Sequence, residues 1–278
     1  MGNAVELFQK PKNLTTNDDW KEWFSRIAEY LLNEATVMIA GNLHRFTEIE
    51  FYYSGDGHDD QFAHRDPIQL QNGVWYFHRT RGTYRSGSFK GVDVAFGDGK
   101  AFAGVLIRGL FPFDGGQIDG PSLHVDYWLK QTGQDTVAAL DEAMNGRSVW
   151  DSDSPIHLVE SDVKRDHPII RSARVGLTLK KAKPDSDLPN YIVRRYRYLT
   201  EPRTIKKGKP HMVLGLHTDG ISPDEIHQVT GCPKHSIKRY IDDFDAGKEE
   251  ADFAPYFGKE LNTELLCRLH GTWHTCYG

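Results

Sequence analysis

The sequence predicts an α+β fold: a mixed, mostly antiparallel β-sheet with helices around it, followed by a small α-helical C-terminal appendage. Three observations predict it. Segments with two-residue alternation follow one another across tight glycine turns, a spacing that suits antiparallel neighbours rather than crossover connections. Apolar residues recur at helical spacing before and after those strands. Between residues 203 and 210 a basic stretch bracketed by breakers, RTIKKGKP, divides residues 1–203 from residues 204–278, which carry helix punctuation of their own.

Taken in order, residues 17–33 place Trp20, Trp23, Phe24, Ile27, Tyr30 and Leu31 at three- and four-residue spacings, the apolar stripe of an amphipathic helix. Residues 35–40 and 43–53 read as strands joined by a tight Gly41-Asn42 turn, and residues 73–78, 91–96 and 100–110 as further strands, the last after Gly97-Asp98-Gly99. A glycine-rich connection over 115–121 leads to helical pattern over 122–130 and 135–143. Residues 184–189 read as a polar loop and 191–199 as a strand rich in arginine. Residues 221–244 have the look of a helix-turn-helix. Ser222 can cap a helix with Pro223 at its first position and Glu225 completing a capping box, Thr230-Gly231-Cys232-Pro233 supplies the turn, and Lys234, His235, Lys238 and Arg239 decorate the second helix.

With 278 residues, 38% hydrophobic and 12% aromatic, the chain can bury a sizeable core and is not a disordered one. Its first residues hold no apolar run fit for a signal peptide, and no segment approaches the length of a membrane span. Three cysteines argue against a disulfide framework and fit a reducing compartment, cytoplasmic (nucleoid-associated) or nuclear rather than secreted. The net charge of −5 is segregated: residues 164–209 hold 14 Lys and Arg against 4 Asp and Glu. A second basic stretch, YFHRTRGTYRSGSFK at 76–90, interleaves Arg79, Arg81, Arg85 and Lys90 with Tyr76, Phe77, Tyr84 and Phe89. Phosphates need Lys and Arg, and a wedge that replaces an extruded base needs a flat or apolar side chain, so the pattern suits nucleic acid. The bland alternative is a solvated hairpin face.

The stretch around which these features gather is FTEIEFYYSGDGHDDQFAHRDP, residues 46–67. As a strand it sets Thr47, Ile49, Phe51 and Tyr53 on one face and Glu48, Glu50 and Tyr52 on the other, then breaks at Ser54-Gly55-Asp56-Gly57 into an acidic loop ending on His64. A carboxylate on a strand, a tyrosine beside it and a loop histidine can form a pocket wall containing a general base. The alternative is an edge strand with its charges in water.

Taken together, the segments resemble the alkyladenine (3-methyladenine) DNA glycosylase family. IAEYLLNEATVMIAGNLHRFTEIEFYY is similar to the family's opening helix and hairpin, EIEFY to its ETEAY catalytic strand, and DQFAHRD to its loop ending in A-H-S. GVWYFH looks like its G-x-L-Y-V-Y strand, GDGKAFAGVLIRGLFP like its GDG turn and arginine-bearing strand, with later matches at Gly120-Pro121-Ser122 and at residues 173–176. The resemblance covers roughly residues 20–203, and its strength lies in the order of the matches. It implies one curved sheet, a catalytic Glu50, a base-stacking Tyr52, a pocket histidine at His64 and a supporting Arg108. The activity implied is hydrolysis of the N-glycosidic bond of a flipped nucleotide in DNA by a water that Glu50 activates. With no lysine matched to a Schiff-base role, the implied enzyme is a monofunctional monomer that leaves an abasic site and uses no cofactor or metal.

The sequence departs from the family in the loop after His64, shortened here to RDPIQLQNG with Arg65 its one arginine, and at Asp93, which stands where the family has an asparagine that screens the base. Ionised Asp93 accepts but cannot donate hydrogen bonds, so the substitution bears on which base is taken: an alkylated or deaminated purine, or a hypermodified base of phage DNA. DNA contacts are expected from Arg79, Arg81, Tyr84 and Arg85, with Tyr84 the candidate wedge, and from Lys180, Lys181, Arg194, Arg195, Lys238 and Arg239.

Cys232-x-x-His235 and Cys267-x-x-His270 also have ligand types and spacings of a tetrahedral zinc site, with His274 and Cys276 nearby, against the plainer reading of small buried cysteines. The rival functional readings are a non-catalytic DNA-binding regulator that keeps the fold, and an enzyme directed at RNA.

Overall fold

The computed structural model describes residues 2–113, 115–161, 164–183 and 185–278, so Pro184, the first residue of the expected polar loop, lies outside the described residues. The chain forms two compact units, Met1–Ile169 and Ile170–Gly278.

The first unit opens with α1 (Gly2–Leu7) and α2 (Asn17–Glu29). Thr16 caps α2 reciprocally: its hydroxyl accepts from the Asp19 amide at 3.2 Å, and the Asp19 carboxylate accepts from the Thr16 amide at 2.7 Å. The helix buries Trp20, Trp23, Phe24, Ile27 and Ala28, the stripe expected of it, and then widens into a π turn over Tyr30–Glu34. That turn leads straight into β1 (Ala35–Ile39), followed by β2 (Asn42–Gly55), β3 (His58–Asp59), β4 (Asn72–Phe77), the hairpin β5 (Arg79–Thr80) and β6 (Thr83–Tyr84), then β7 (Val92–Phe96), β8 (Phe102–Pro112) and β9 (Ile118–Asp119). Helices α3 (Pro121–Thr132) and α4 (Val137–Met144) and strand β10 (Ile156–Glu160) complete it.

The sheet runs β10-β1-β2-β8-β7-β4, antiparallel at each of these pairings, with β3 and β9 as short additions to β2 and β8. The turn between β1 and β2 is Ala40-Gly41 (φ 47° and 86°), one residue ahead of the expected Gly41-Asn42. Ile39 pairs with Asn42, which makes Asn42 the first strand residue and leaves the two left-handed positions to Ala40 and Gly41.

The period of two gives the sheet unlike faces. Phe51, Tyr53 and Phe96 meet α2: Phe24 stacks on Phe51 at 4.7 Å between ring centroids, Trp20 lies 4.7 Å from Tyr53, and Trp23 meets Phe96 edge-on at 5.5 Å. These rings form an aromatic core. On the opposite face, pairing sets Glu50, Leu106, Asp93 and Tyr76 in one row across β2, β8, β7 and β4, and Tyr52, Gly104, Ala95 and Val74 in the next.

The second unit contains the ribbon of β11 (Ile170–Ser172) and β12 (Arg197–Leu199), the short helix α5 (Leu188–Ile192), and helices α6 (Lys209–Thr218), α7 (Pro223–Thr230), α8 (Lys234–Lys248) and α9 (Thr263–Tyr277). Ile170, Leu199, Ile205 and Met212 share one cluster, so residues 170–203 pack with the helices that follow, and the division falls earlier than the composition shift at 203 suggests. Two expectations are corrected. Residues 191–199 are a strand only over Arg197–Leu199, since Pro189 opens α5 and the arginines that follow bind local acceptors. The basic stretch before Pro210 leads into α6, whose cap Gly208 takes φ 75°.

Ser222 and Glu225 form the expected capping box, and Gly231 ends α7 at φ 65°. Where α8 and α9 cross, a side chain on Gly247 or Gly271 would strike the backbone carbonyl of Arg268 or Phe244 respectively, so the crossing requires two glycines. Among the described residues no helix is long and apolar enough to cross a membrane.

Candidate active site

The polar face of the first sheet holds a charge cluster. Glu50, Glu48 and Arg108 are 0%, 1% and 6% exposed. Arg108 Nε donates to Glu48 Oε1 at 2.8 Å and stands 3.3 Å from Glu50 Oε1, while Nη1 reaches Glu50 Oε2 at 3.5 Å. Tyr52 OH donates to the same Glu50 Oε2 at 2.9 Å. The register between β2 and β8 shifts on either side of Glu48, which lets Arg108 address both carboxylates. Burial alone would push the Arg108 guanidinium down, but Glu50 and Glu48 raise it well above its ordinary range.

A second cluster lies two strands away. The Asp93 carboxylate receives His78 Nε2 at 2.7 Å on Oδ1 and the Gln69 amide at 3.2 Å on Oδ2. The His64 ring meets that of His78 at 4.3 Å, and its Nδ1 is 3.4 Å from Tyr76 OH. Burial, with His78 and Arg85 adding to it against the pull of Asp93, lowers His64 to about 4, so its imidazole is neutral at pH 7. Tyr76 is raised by burial and by Asp93. Gly104 makes room for this arrangement: a side chain there would stand 2.5 Å from Asp93 Oδ2 and 2.8 Å from Gln69 Nε2. Tyr52, His64 and His78 are the half-buried members of the face and mark its opening to solvent.

Thus four of the five expected pocket residues, Glu50, Arg108, Tyr52 and Asp93, lie on one face of one sheet, and His64 meets that face from the loop after β3. Sequence reasoning set Glu48 on this face without giving it a role, and did not assign Gln69, Tyr76 or His78 to it. The signal for Tyr76 and His78 was available, because Tyr76 has the parity of β4 that faces Asp93 and His78, just past the strand's end, continues it.

The expected DNA contacts divide. Arg81 sits with Gly82 at the left-handed tip of the β5–β6 hairpin and is exposed. Tyr84 is not at that tip: its hydroxyl donates to Asp141 at 2.6 Å, and Arg79 binds both groups while stacking on the Tyr84 ring at 4.5 Å. Arg85 reaches Thr80. Phe89, 71% exposed, lies beyond the hairpin where Ser122 binds the Gly87 carbonyl at 2.8 Å and Lys90 binds Asp126 at 2.6 Å.

In the second unit, Arg194 binds Asn190 and stacks on Tyr191, Arg195 binds Asp219 and Thr218, Lys180 pairs with Glu260, and Lys181 is exposed. On α8, Lys238 pairs with Asp242 while Arg239 lies exposed over Tyr240.

The zinc set is not assembled. Cys232 lies with Val213, Ile226 and Ile237, Cys267 with Leu214 and Phe244, His235 is exposed, and His270 Nε2 is 2.8 Å from His211 Nδ1. Among the described residues no group of three or more His, Cys, Asp or Glu is placed to hold a metal.

These features define an α+β protein whose antiparallel sheet carries a buried carboxylate–arginine cluster and a histidine–aspartate pair on one face. No family model matches the chain. It is 31% identical over 217 residues to the uncharacterized protein L759 of Acanthamoeba polyphaga mimivirus, an alignment spanning 70% of this chain and 96% of that one. The chain belongs to the same family as that mimivirus protein.

Proposed function

We propose that the protein is a monofunctional DNA glycosylase of the alkyladenine type, which flips a modified base out of DNA and hydrolyses its N-glycosidic bond, leaving an abasic site. The observation that carries the reading is the Glu50 carboxylate held between Arg108 and the Tyr52 hydroxyl at the centre of the polar face. A buried carboxylate with a fixed counter-charge and a fixed hydroxyl donor is suited to accept a proton from a water aimed at C1′ and to face the positive charge that develops on the sugar. General-base help of this kind contributes about 10² to 10⁴-fold, and positioning supplies more. Tyr52 and His64, half-buried at the opening, are the surfaces against which a flipped base would stack. Extrusion costs a few kcal/mol and is least costly for damaged or badly paired bases, which gives the first selectivity. The candidate substrates are alkylated or deaminated purines, as in repair, or a hypermodified base of invading phage DNA, as in defence.

The test is untargeted. Wild type and Glu50→Gln are incubated with alkylated DNA, inosine-containing DNA and phage genomes with modified bases, and released bases are identified by mass spectrometry. A base freed by wild type and at least 100-fold more slowly by Glu50→Gln supports the enzyme and identifies its substrate. Binding without release from any DNA favours the second reading, a DNA-binding regulator, for which the capped helix-turn-helix of α7 and α8 is the supporting feature.

A further inference from the structure

The helix pair α7 and α8 of the second unit presents a surface that base hydrolysis does not use. We propose that this pair reads a short base sequence in the major groove of duplex DNA, with Lys234, His235, Lys238 and Arg239 facing the base edges and the stretch from Arg203 to Lys209 holding phosphates beside them. The inference goes beyond the glycosylase reading and does not depend on it, because it concerns unmodified DNA and a site in the other unit.

Four observations support it. The inward residues have the arrangement of a helix-turn-helix: Ile226 before the turn, Cys232 within it and Ile237 after it are buried together, and they close on Val213 of α6 as the third helix of the core.

The turn between the helices is fixed. The Thr230 hydroxyl donates to the Ile226 carbonyl at 2.7 Å and accepts from the Cys232 amide at 3.1 Å, His227 Nδ1 donates to the Cys232 carbonyl at 2.8 Å, and Gly231 takes φ 65°. A turn held in this way sets the angle at which the second helix meets a groove.

The outward face of α8 is exposed and basic over its first two turns, at Lys234, His235, Lys238 and Arg239. Lys234 and Lys238 pair there with Asp224 and Asp242, but both pairs stand in water, where they are weak and a nucleic acid can take the place of the carboxylate. Further along, Asp242, Asp245 and Glu249 are exposed and α9 crosses at Gly247. Only the start of α8 can therefore approach a phosphate backbone, which is the end that helix-turn-helix proteins place against base edges.

Finally, the basic stretch that reads in sequence as a boundary is bound to the turn. Arg203 donates to the Gln228 carbonyl, and Lys209 Nζ donates to the Thr230 carbonyl at 2.6 Å. Lys206 and Lys207 lie in the chain between these anchors, both exposed, and residues 203–209 contain no acid. Two basic segments distant in sequence thus meet at one turn, the charge that a duplex requires. The guanidinium of Arg239 has the fork that matches O6 and N7 of guanine, so the sequence read is expected to contain guanine.

The full chain is mixed at physiological salt with a pool of unmodified duplexes that carry a randomised core, and the bound DNA is sequenced. The expected result is one guanine-containing motif, bound at least about 100-fold more tightly than a scrambled duplex. Arg239→Ala is expected to lower that preference about tenfold or more. Lys206→Ala combined with Lys207→Ala weakens binding to both duplexes alike and flattens its salt dependence. Thermal melting shows the variants folded. A pool returned without a motif overturns the inference, as does a motif preferred equally by wild type and a folded triple variant, Lys234→Ala, Lys238→Ala and Arg239→Ala. A motif bound as tightly in RNA as in duplex DNA overturns it too. None of these outcomes bears on the glycosylase reading, which base release decides.

Discussion

Arg108 is the residue on which the buried face depends, because it is one cation between two carboxylates. Removing a partner from a buried ion cluster leaves charge without compensation, which costs about 3–5 kcal/mol. Arg108→Met is therefore expected to melt well below wild type. Glu48→Gln leaves a one-to-one pair and is expected to melt at or above it. Thermal unfolding of the three proteins checks the order, and an Arg108→Met protein as stable as wild type would show the cluster is not buried in solution. Glu50, Tyr52 and Arg108 were pointed to one by one by the resemblance of EIEFY and of the strand after GDG to the glycosylase family's motifs. Their convergence with Glu48 was not, since it depends on a register shift that alternation does not encode.

At the scale of elements, the hairpin β5–β6 and the segment after it make Phe89, rather than Tyr84, the candidate wedge of the proposed DNA-binding face. Tyr84 is bound to Asp141 and Arg79, whereas Phe89 projects from a segment tied down on either side by Gly87 and Lys90. Stacking against bases is worth about 1–3 kcal/mol, so Phe89→Ala is expected to weaken binding to a duplex with an abasic site about tenfold or more, and Tyr84→Phe much less. Fluorescence anisotropy distinguishes them, and equal affinities for Phe89→Ala and wild type would remove Phe89 from the interface. Helix α2 was legible because Trp and Phe recur with its period. The segment around Arg194 was not, because arginines alternating with aromatics imitate a strand while their guanidiniums bind Asn190, Asp219 and the Lys207 carbonyl.

For the whole molecule, three histidines link stability to pH. His64 and His124 in the first unit are lowered to about 4, and His270 in the second to about 3, burial being the chief cause at each. Their ordinary value is near 6.5, so the unfolded chain takes up protons before the folded one does. Stability from these groups is complete above about pH 6.5 and is lost as the pH falls toward 4. Urea unfolding at pH 7.5 and pH 5 is expected to give a lower midpoint at pH 5, with a smaller difference in a His270→Gln variant. Equal midpoints for wild type at the two values would contradict the burial of these rings.

The two faces of the central sheet impose a rule on how this family can change length. Phe51 belongs to the aromatic core and Glu50 to the charged face because they are neighbours on β2. One residue inserted between Glu48 and Tyr53 would turn every later side chain to the wrong side, sending carboxylate into the core and phenyl rings onto the charged face. Two would restore the alternation. Gains and losses of sequence between this chain and its viral relative are thus expected in the loops, or in pairs within β2 and β8, and a single-residue gap there would mark a homologue that has lost the site, the core or both.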